Sequence, residues 1–437
     1  MNRQATVMRN RRHERKAVML FVLTALYLLI IVFPVAADDL RLQDLIQEAL
    51  QKSPEILASE ARAQAARHRI PQAGSLPDPM FMFGYQNDGW ERYTFGKSSD
   101  AQWMFSVSQM FPFPGKLSLK EEMAKQDAEG ILIMRESVRL KTIAKIREFY
   151  IDLLLAYKNI DLIREKSVLF SRIEDAALAR YSSGTGMQQE VLMAQTEKYM
   201  LLEKELMQKQ KIQSLEAMLN TTIGRDMNTP LGKPLEPTRT TTTLSIDELL
   251  GMAYEHSPEV RARQRMIAAA EAKVKMAEKE FYPDFTVNAG YTTRGGGQFT
   301  DMWSLQTTMN VPIFYRTKQK QALLEAQAML EEAKRELEAN RLMIASIIRD
   351  NYSMHKTAEK LMVIYKSGLI PKIYQDFESA LAGYGTGRTE AITVISRLKS
   401  LIEIETLYWV QYAEYERAAS RFETMAGVMD SAIGDKK

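Results

Sequence analysis

Between about Lys116 and Tyr181 the chain runs without a proline and with a single internal glycine, Gly130. The stretch is rich in Leu, Ile, Ala, Glu, Lys and Arg, the better helix formers. Within it Ile143, Ile146, Tyr150, Leu153, Tyr157 and Ile160 recur at alternating steps of three and four, the seam of a coiled coil. Leu154, Leu155, Leu162 and Ile163 lie off that seam, so more than one flank of the helix is buried. At ~1.5 Å per residue such a helix would be roughly 100 Å long. Ordinary globular helices end after about 8–20 residues. A rod of this length needs partners along all of it, and the rest of the chain has to supply them.

The partners come from an internal duplication. Leu42-Gln43-Asp44-Leu45-Ile46 answers Ile246-Asp247-Glu248-Leu249-Leu250, and Ser53-Pro54-Glu55-Ile56 answers Ser257-Pro258-Glu259-Val260. Ser before Pro before Glu predicts a helix start, with a hydroxyl at the N-cap and proline in the first turn. Ala177-Leu178-Ala179-Arg180-Tyr181 answers Ala380-Leu381-Ala382-Gly383-Tyr384, Gly184 answers Gly387, and Ile143-Ala144 answers Ile344-Ala345.

Each half follows one plan. A helix from Pro54 to about Ile70 breaks at Pro77-Asp78-Pro79, and its counterpart from Pro258 to about Phe281 breaks at Pro283-Asp284. Strands follow. Phe285, Val287, Ala289 and Tyr291 alternate with Thr286, Asn288, Gly290 and Thr292; Trp303, Leu305, Thr307, Met309 and Val311 alternate with Ser304, Gln306, Thr308 and Asn310. That is the apolar-out, polar-in rhythm of a membrane β-barrel strand, about 9–11 residues long. In the first half Trp103, Phe105, Val107 and Phe111 keep the same rhythm, while Met80 to Tyr85 is apolar on both faces. The edge of a soluble sandwich is the alternative for such strands. If they lie in lipid, four cannot close a barrel, the smallest of which takes about eight, so copies must join.

Pro112-Phe113-Pro114-Gly115-Lys116 and Pro312-Ile313-Phe314-Tyr315-Arg316 then lead into the two long helices. The second should kink at Pro371. Both end at glycine turns, Ser183-Gly184-Thr185-Gly186 and Gly385-Thr386-Gly387. The predicted layout is a signal at 1–37, a first repeat at 38–223, a linker at 224–245, a second repeat at 246–428 and a tail at 429–437. The first repeat holds a helix, a hairpin at 79–112, a long helix at 116–181 and a return helix at 188–219. The second has its hairpin at 283–312, long helix at 316–384 and return helix at 389–425. Two short helices stacked end to end would flank each long one. The class is mainly α with a small membrane β part.

Arg3, Arg9, Arg11, Arg12, Arg15 and Lys16 precede an apolar run from Ala17 to Phe33, and Val35-Ala36-Ala37 resembles a cleavage site, so export with cleavage after Ala37 is expected. The apolar run is long for a signal, and an uncleaved anchor is the alternative. The whole sequence carries 58 basic and 55 acidic side chains; without residues 1–37 these become 52 and 54, a net charge of −2. Nothing then points to nucleic acid. Cysteine is absent, which excludes disulfides, thiolate metal sites, a Cys nucleophile and a lipid-bearing Cys.

Chemistry-bearing patterns are few. His13, His68, His256 and His355 are scattered without a carboxylate cluster, so neither a catalytic nor a metal site is expected, and no cofactor. Among 26 methionines, Met193, Met200 and Met207 fall seven apart, the spacing of a packed seam rather than a soft-metal site. No phosphate loop or nucleophile elbow occurs, which counts against a secreted enzyme. A periplasmic coiled-coil adaptor remains a second alternative, against which the amphipathic strand pairs stand.

The duplicated helix–hairpin–helix plan, the Tyr-x-x-Gly turns at Tyr181/Gly184 and Tyr384/Gly387, and Leu76-Pro77-Asp78-Pro79 resemble the TolC-like outer-membrane efflux factors over nearly the whole mature chain. Gln109-Met110-Phe111-Pro112-Phe113-Pro114-Gly115-Lys116 is similar to the segment of the heavy-metal and cation branch. The resemblance implies a homotrimer with a twelve-strand transmembrane β-barrel in the outer membrane of a Gram-negative cell and a long α-helical tunnel in the periplasm. It implies a passive exit duct served by an inner-membrane efflux pump through a periplasmic adaptor (membrane fusion) protein. The cargo could be metal cations, drugs or a type I secreted protein. By position, Ser183, Gly184, Thr185, Gly387, Arg388 and Thr389 would meet the adaptor. Some members ring the closed entrance with acidic residues; here Thr393 and Ser396 take those places and Glu190 the corresponding one in the first half. Glu190, Arg388, Thr393 and Ser396 are therefore the candidates for the gate.

Overall fold

A computed structural model describes residues 39–239, 244–295 and 297–427. The signal segment with its Ala37 site, the centre of the linker, Gly296 and the 429–437 tail lie outside the described residues. Helix α1 (Leu42–Lys52) leads into α2 (Pro54–Gly74), strands β1 (Met80–Gln86) and β2 (Gln102–Phe111), the long α3 (Lys116–Ser182) and the return helix α4 (Gln188–Ile223). The second half runs α5 (Ile246–His256), α6 (Pro258–Lys279), β3 (Phe285–Thr293), β4 (Met302–Met309), α7 (Gln319–Val363), a π-helical segment (Ile364–Leu369), α8 (Ile370–Gly385) and α9 (Ala391–Ala426).

Helix α3 lies between two columns. On one side stand α2 and α4, on the other α6 and α9, and α7 with α8 covers α6 and α9 from beyond. The short helices meet end to end through glycine. Gly224, with φ 99°, closes α4 against the Lys52 carbonyl and Pro54, and Gly427, with φ 72°, closes α9 against His256 and Ser257. A side chain at either position would strike the backbone it abuts. The seam predicted for α3 is the core: Ile143, Ile146, Tyr150, Leu153 and Ile160 are buried, and so are Leu154, Leu155, Leu162 and Ile163 on the other flank. The Tyr150 hydroxyl lies 2.7 Å from the Leu40 carbonyl and 2.6 Å from that of Leu235, fastening the start of the first repeat and the linker that follows it to the rod. A ladder of charges joins α3 to α9: Arg147–Glu423 at 2.9 Å, Glu148–Arg421 at 2.7 Å, Asp152–Arg417 at 2.5 Å and Lys166–Glu405 at 2.9 Å.

Three local expectations need correction. Ser53 and Ser257 occupy the N-cap backbone positions, but neither hydroxyl makes a cap bond; proline in the first turn carries the start. Pro371 produces a wide π turn just before it instead of a simple kink. A proline cannot donate to the carbonyl four residues back, and the Ile370 N–H reaches the Tyr365 carbonyl, five back. Helix α7 starts only at Gln319, past Arg316, where α3 starts at Lys116 itself.

The strands form one antiparallel sheet in the order β1-β2-β3-β4. Its register puts Phe83, Phe105, Tyr291 and Trp303 in one row across the sheet, with Gly84, Met104, Thr292 and Met302 in the next. Successive rows point to opposite faces, so one face is aromatic and aliphatic and the other carries Ser106, Asn288, Ser304 and Gln306. Both outer edges, on β1 and β4, are unpaired among the described residues. No helix of the described residues is long and apolar enough to cross a membrane.

Candidate functional site

At the end of the molecule away from the sheet, the two predicted turns adopt one geometry. Gly184 has φ 74° and Gly387 φ 75°. In the first turn Gly184 N–H donates to the Tyr181 carbonyl and Thr185 N–H to that of Arg180, at 3.0 and 2.9 Å. In the second, Gly387 N–H donates to Tyr384 and Arg388 N–H to Gly383, again at 3.0 and 2.9 Å. Left-handed glycine lets the chain reverse while the last helical carbonyls keep partners. Ser183, Gly184, Thr185, Gly387 and Arg388 are exposed, and Thr389 is half-buried under Gly383. The Ser183 and Thr185 hydroxyls bond each other at 2.8 Å, so the first tip is a self-contained polar knob.

A clamp that the sequence did not announce holds the two tips together. Arg180, one residue before the first Tyr-x-x-Gly turn, donates from Nη1 to the Tyr384 carbonyl at 2.8 Å and from Nη2 to the Thr185 carbonyl at 3.3 Å. Its guanidinium also lies 4.8 Å from the centre of the Tyr384 ring. The buried Tyr384 hydroxyl donates to Glu190 Oε2 at 2.9 Å. Burial, and next the Glu190 carboxylate, push the Tyr384 phenol up to about 12. Gly186 makes room for this: a Cβ there would lie 2.8 Å from that of Arg180. The only sequence cue was an asymmetry of the repeat, Arg180 standing where the second half has Gly383.

The four gate candidates do not converge within one chain. Glu190 is engaged by Tyr384, and Arg388 is exposed with no ion pair among the described residues. Thr393 is half-buried on the first turn of α9. Ser396 lies in a groove of about 500 Å³ between α4 and α9, beside Met193 and Ile395. Across that groove Lys399 Nζ meets Glu197 Oε1 at 2.7 Å. Met200 and Met207, expected in a packed seam, are exposed on the free flank of α4 in the single chain. His355 is a core residue, stacked on Tyr415 with Nδ1 3.0 Å from its carbonyl. No group of three or more metal-binding side chains occurs among the described residues. What the tips show is a hydrogen-bonded contact between the two repeats, through Arg180, Glu190 and Tyr384.

A family model described as outer membrane efflux protein matches residues 45–225 and 249–395. The chain is 21% identical over 408 residues to the cobalt-zinc-cadmium resistance protein CzcC of Cupriavidus metallidurans, covering 91% of this chain and 92% of that one. It is 22% identical over 435 residues to the pyoverdine export outer membrane protein OpmQ of Pseudomonas putida, covering 88% and 86%. Among solved structures, the outer-membrane channel OprN superposes with a TM-score of 0.77 at 15% identity, covering 88% and 89%. The outer membrane protein VceC from Vibrio cholerae does so at 0.75 and 20% identity, covering 88% and 96%.

Proposed function

The chain belongs to the outer membrane efflux protein family, and from that premise we propose that three copies close into one passive duct, loaded at its periplasmic tips by an adaptor and an inner-membrane pump. The channel lies in the outer membrane with a large helical portion in the periplasm. One observation carries the closure. The sheet ends in two unpaired edges, and the flanks of α4 and α7 that face away from the chain expose Tyr199, Leu206, Met207, Leu342 and Met343. Open edges cannot persist in lipid. The number three rests on the likeness to the TolC-like family, in which four strands per chain make twelve. Detergent-extracted protein should be a trimer by native mass spectrometry and should conduct ions in planar bilayers. A stable monomer as the main species would remove the reading.

Docking of the adaptor at Ser183, Gly184, Thr185, Gly387, Arg388 and Thr389 is supported by the exposure of the two knobs. Proline cannot adopt the left-handed φ of either glycine. Gly184→Pro or Gly387→Pro should therefore abolish export while the trimer survives. For the cargo our reading is metal cations, on the likeness to CzcC and the Gln109–Lys116 segment. Deleting the gene should lower tolerance to cobalt, zinc or cadmium. Unchanged tolerance with a loss of pyoverdine secretion would favour a cargo like that named for OpmQ.

A further inference from the structure

The junction between sheet and helices occurs twice in each chain, but only one copy has its partner. Where β2 turns into α3, the chain lies against the segment that leads from α6 into β3. Asp284 Oδ1 accepts from the Phe113 N–H at 2.7 Å and from Lys116 Nζ at 2.9 Å. Lys116 is 2% exposed, and Phe113 stacks on Tyr282 with ring centres 4.5 Å apart. The repeat places Ile313 and Arg316 where Phe113 and Lys116 stand, and Leu76 and Asp78 where Tyr282 and Asp284 stand. All four of these are exposed, and neither Asp78 nor Arg316 has an ion pair among the described residues. Ile313 and Leu76 are 69% and 48% exposed.

We propose that Asp78 of one subunit clamps Arg316 of the next, with Ile313 on the partner subunit's Leu76, in a copy of the internal junction; the Ile313 N–H, which donates to the Val311 carbonyl at 2.9 Å within the single chain, would turn to Asp78 on closure. The inference rests on the trimer reading and names the residues that close it. Charge and shape agree: a carboxylate meets a guanidinium, which it can hold through two parallel bonds, and two bare aliphatic side chains replace the aromatic stack. The helix starts agree as well, since α3 begins at the clamped Lys116 whereas α7 begins past the unclamped Arg316.

The strand register supports the same closure. Met80 faces Ser108 in the first hairpin, and Thr286 faces Thr308 in the second, so the hairpins superpose with Met80 on Thr286 and Ser108 on Thr308. In the middle seam Ser108 faces Asn288. Carried to the open edges, this pairs Thr308 with the partner subunit's Met82 and Met309 with the partner's Phe81. Both pairs keep each side chain on its own face of the sheet. A slip of one residue would turn every lipid-facing side chain inward.

The test is native mass spectrometry of the full-length detergent-extracted protein. Asp78→Arg and Arg316→Asp should each cut the trimer fraction roughly tenfold, and the double exchange should restore it. Because a charge reversal can also stop the chain folding, a second test uses cysteine, of which the protein has none. Met82→Cys with Thr308→Cys should oxidise to a covalent trimer, and Gly84→Cys with Thr308→Cys should give far less. Charge reversals that leave the trimer intact, a double exchange that fails to restore it, or preferential cross-linking of the slipped pair would overturn the clamp while leaving the trimer standing. A monomeric wild-type protein would overturn both.

Discussion

The two long helices share an ancestry of pattern but not a position. Helix α3 is unbroken over 67 residues and is packed on both sides by helices of its own chain. Its counterpart is divided into 45 residues of α7, a π segment of 6 and 16 residues of α8. It has its own chain on one side only. Its other flank exposes Leu342, Met343, Val363, Ile364 and Tyr374. The same helix plan is thus satisfied inside the chain when it falls at the centre and left for a neighbour when it falls at the edge. The helix held on both flanks runs unbroken, and the one held on a single flank contains the widened turn just before Pro371.

The largest effect should separate centre from edge. Phe170 on α3 is 1% exposed in the core shared with Phe377 and Leu398. Phe170→Ala should cost about 3–5 kcal/mol, the range for emptying a buried aromatic site. Leu342→Ala should change the stability of one chain by no more than about 0.5 kcal/mol, yet weaken assembly. Denaturant melts beside native mass spectra read both quantities. Equal costs in the melts would erase the distinction.

A second pair of substitutions reverses the break. Counting back from the tip tyrosines, Pro371 corresponds to Val168, an exposed residue of α3. Val168→Pro should cost about 3 kcal/mol or more, through a lost backbone bond and a ring clash. Pro371→Ala should work the other way, letting α7 and α8 fuse and raising local stability by up to ~3 kcal/mol. Hydrogen exchange at Ile364 to Leu369 should slow in that variant. Unchanged exchange would show that neighbours, not the proline, widen the turn.

Patterns confined to one helix or one hairpin were legible in the sequence. The seam from Ile143 to Ile160 and the alternation of Phe285 to Tyr291 are local consequences of the helical and strand periods. Pro371 marked where the second rod would be disturbed, but whether a helix kinks or widens depends on which carbonyl the next free N–H can reach. Met200 and Met207 have seam spacing, and periodicity cannot tell whether the partner belongs to the same chain. Least legible was the tip clamp, because Arg180, Glu190 and Tyr384 come together only after the two halves dock. Of the gate candidates, Glu190 alone turned out to bridge the repeats, and it does so to a tyrosine rather than to Arg388.

The smallest expected effect lies where the two rods end beside each other. Arg180 belongs to α3 and Tyr384 to α8, so the clamp is the last point at which centre holds edge. Tyr384→Phe removes the bond to Glu190 and keeps the ring under Arg180, a loss of about 0.5–1.5 kcal/mol for a neutral bond and somewhat more for one to a carboxylate. The pH dependence gives the sign. A phenol held at about 12 in the folded chain, against 10.0 when free, stays protonated in the folded state while the unfolded state ionises. Its contribution is therefore complete below pH 10 and declines as pH rises towards 12. Tyr150 is raised to a similar value by its own burial, and burial also raises Tyr412, Tyr415 and Tyr157, so the wild-type melt alone would mix several groups. The difference between wild type and Tyr384→Phe isolates the tip: it should be constant from pH 7 to about 9.5 and shrink above pH 10. If the difference stays flat through pH 12, the Tyr384 phenol is not held buried beside Glu190 in the folded chain. If it shrinks while bilayer conductance at pH 7.5 is higher in the variant, the end of α8 is the moving part and the end of α3 its fixed support.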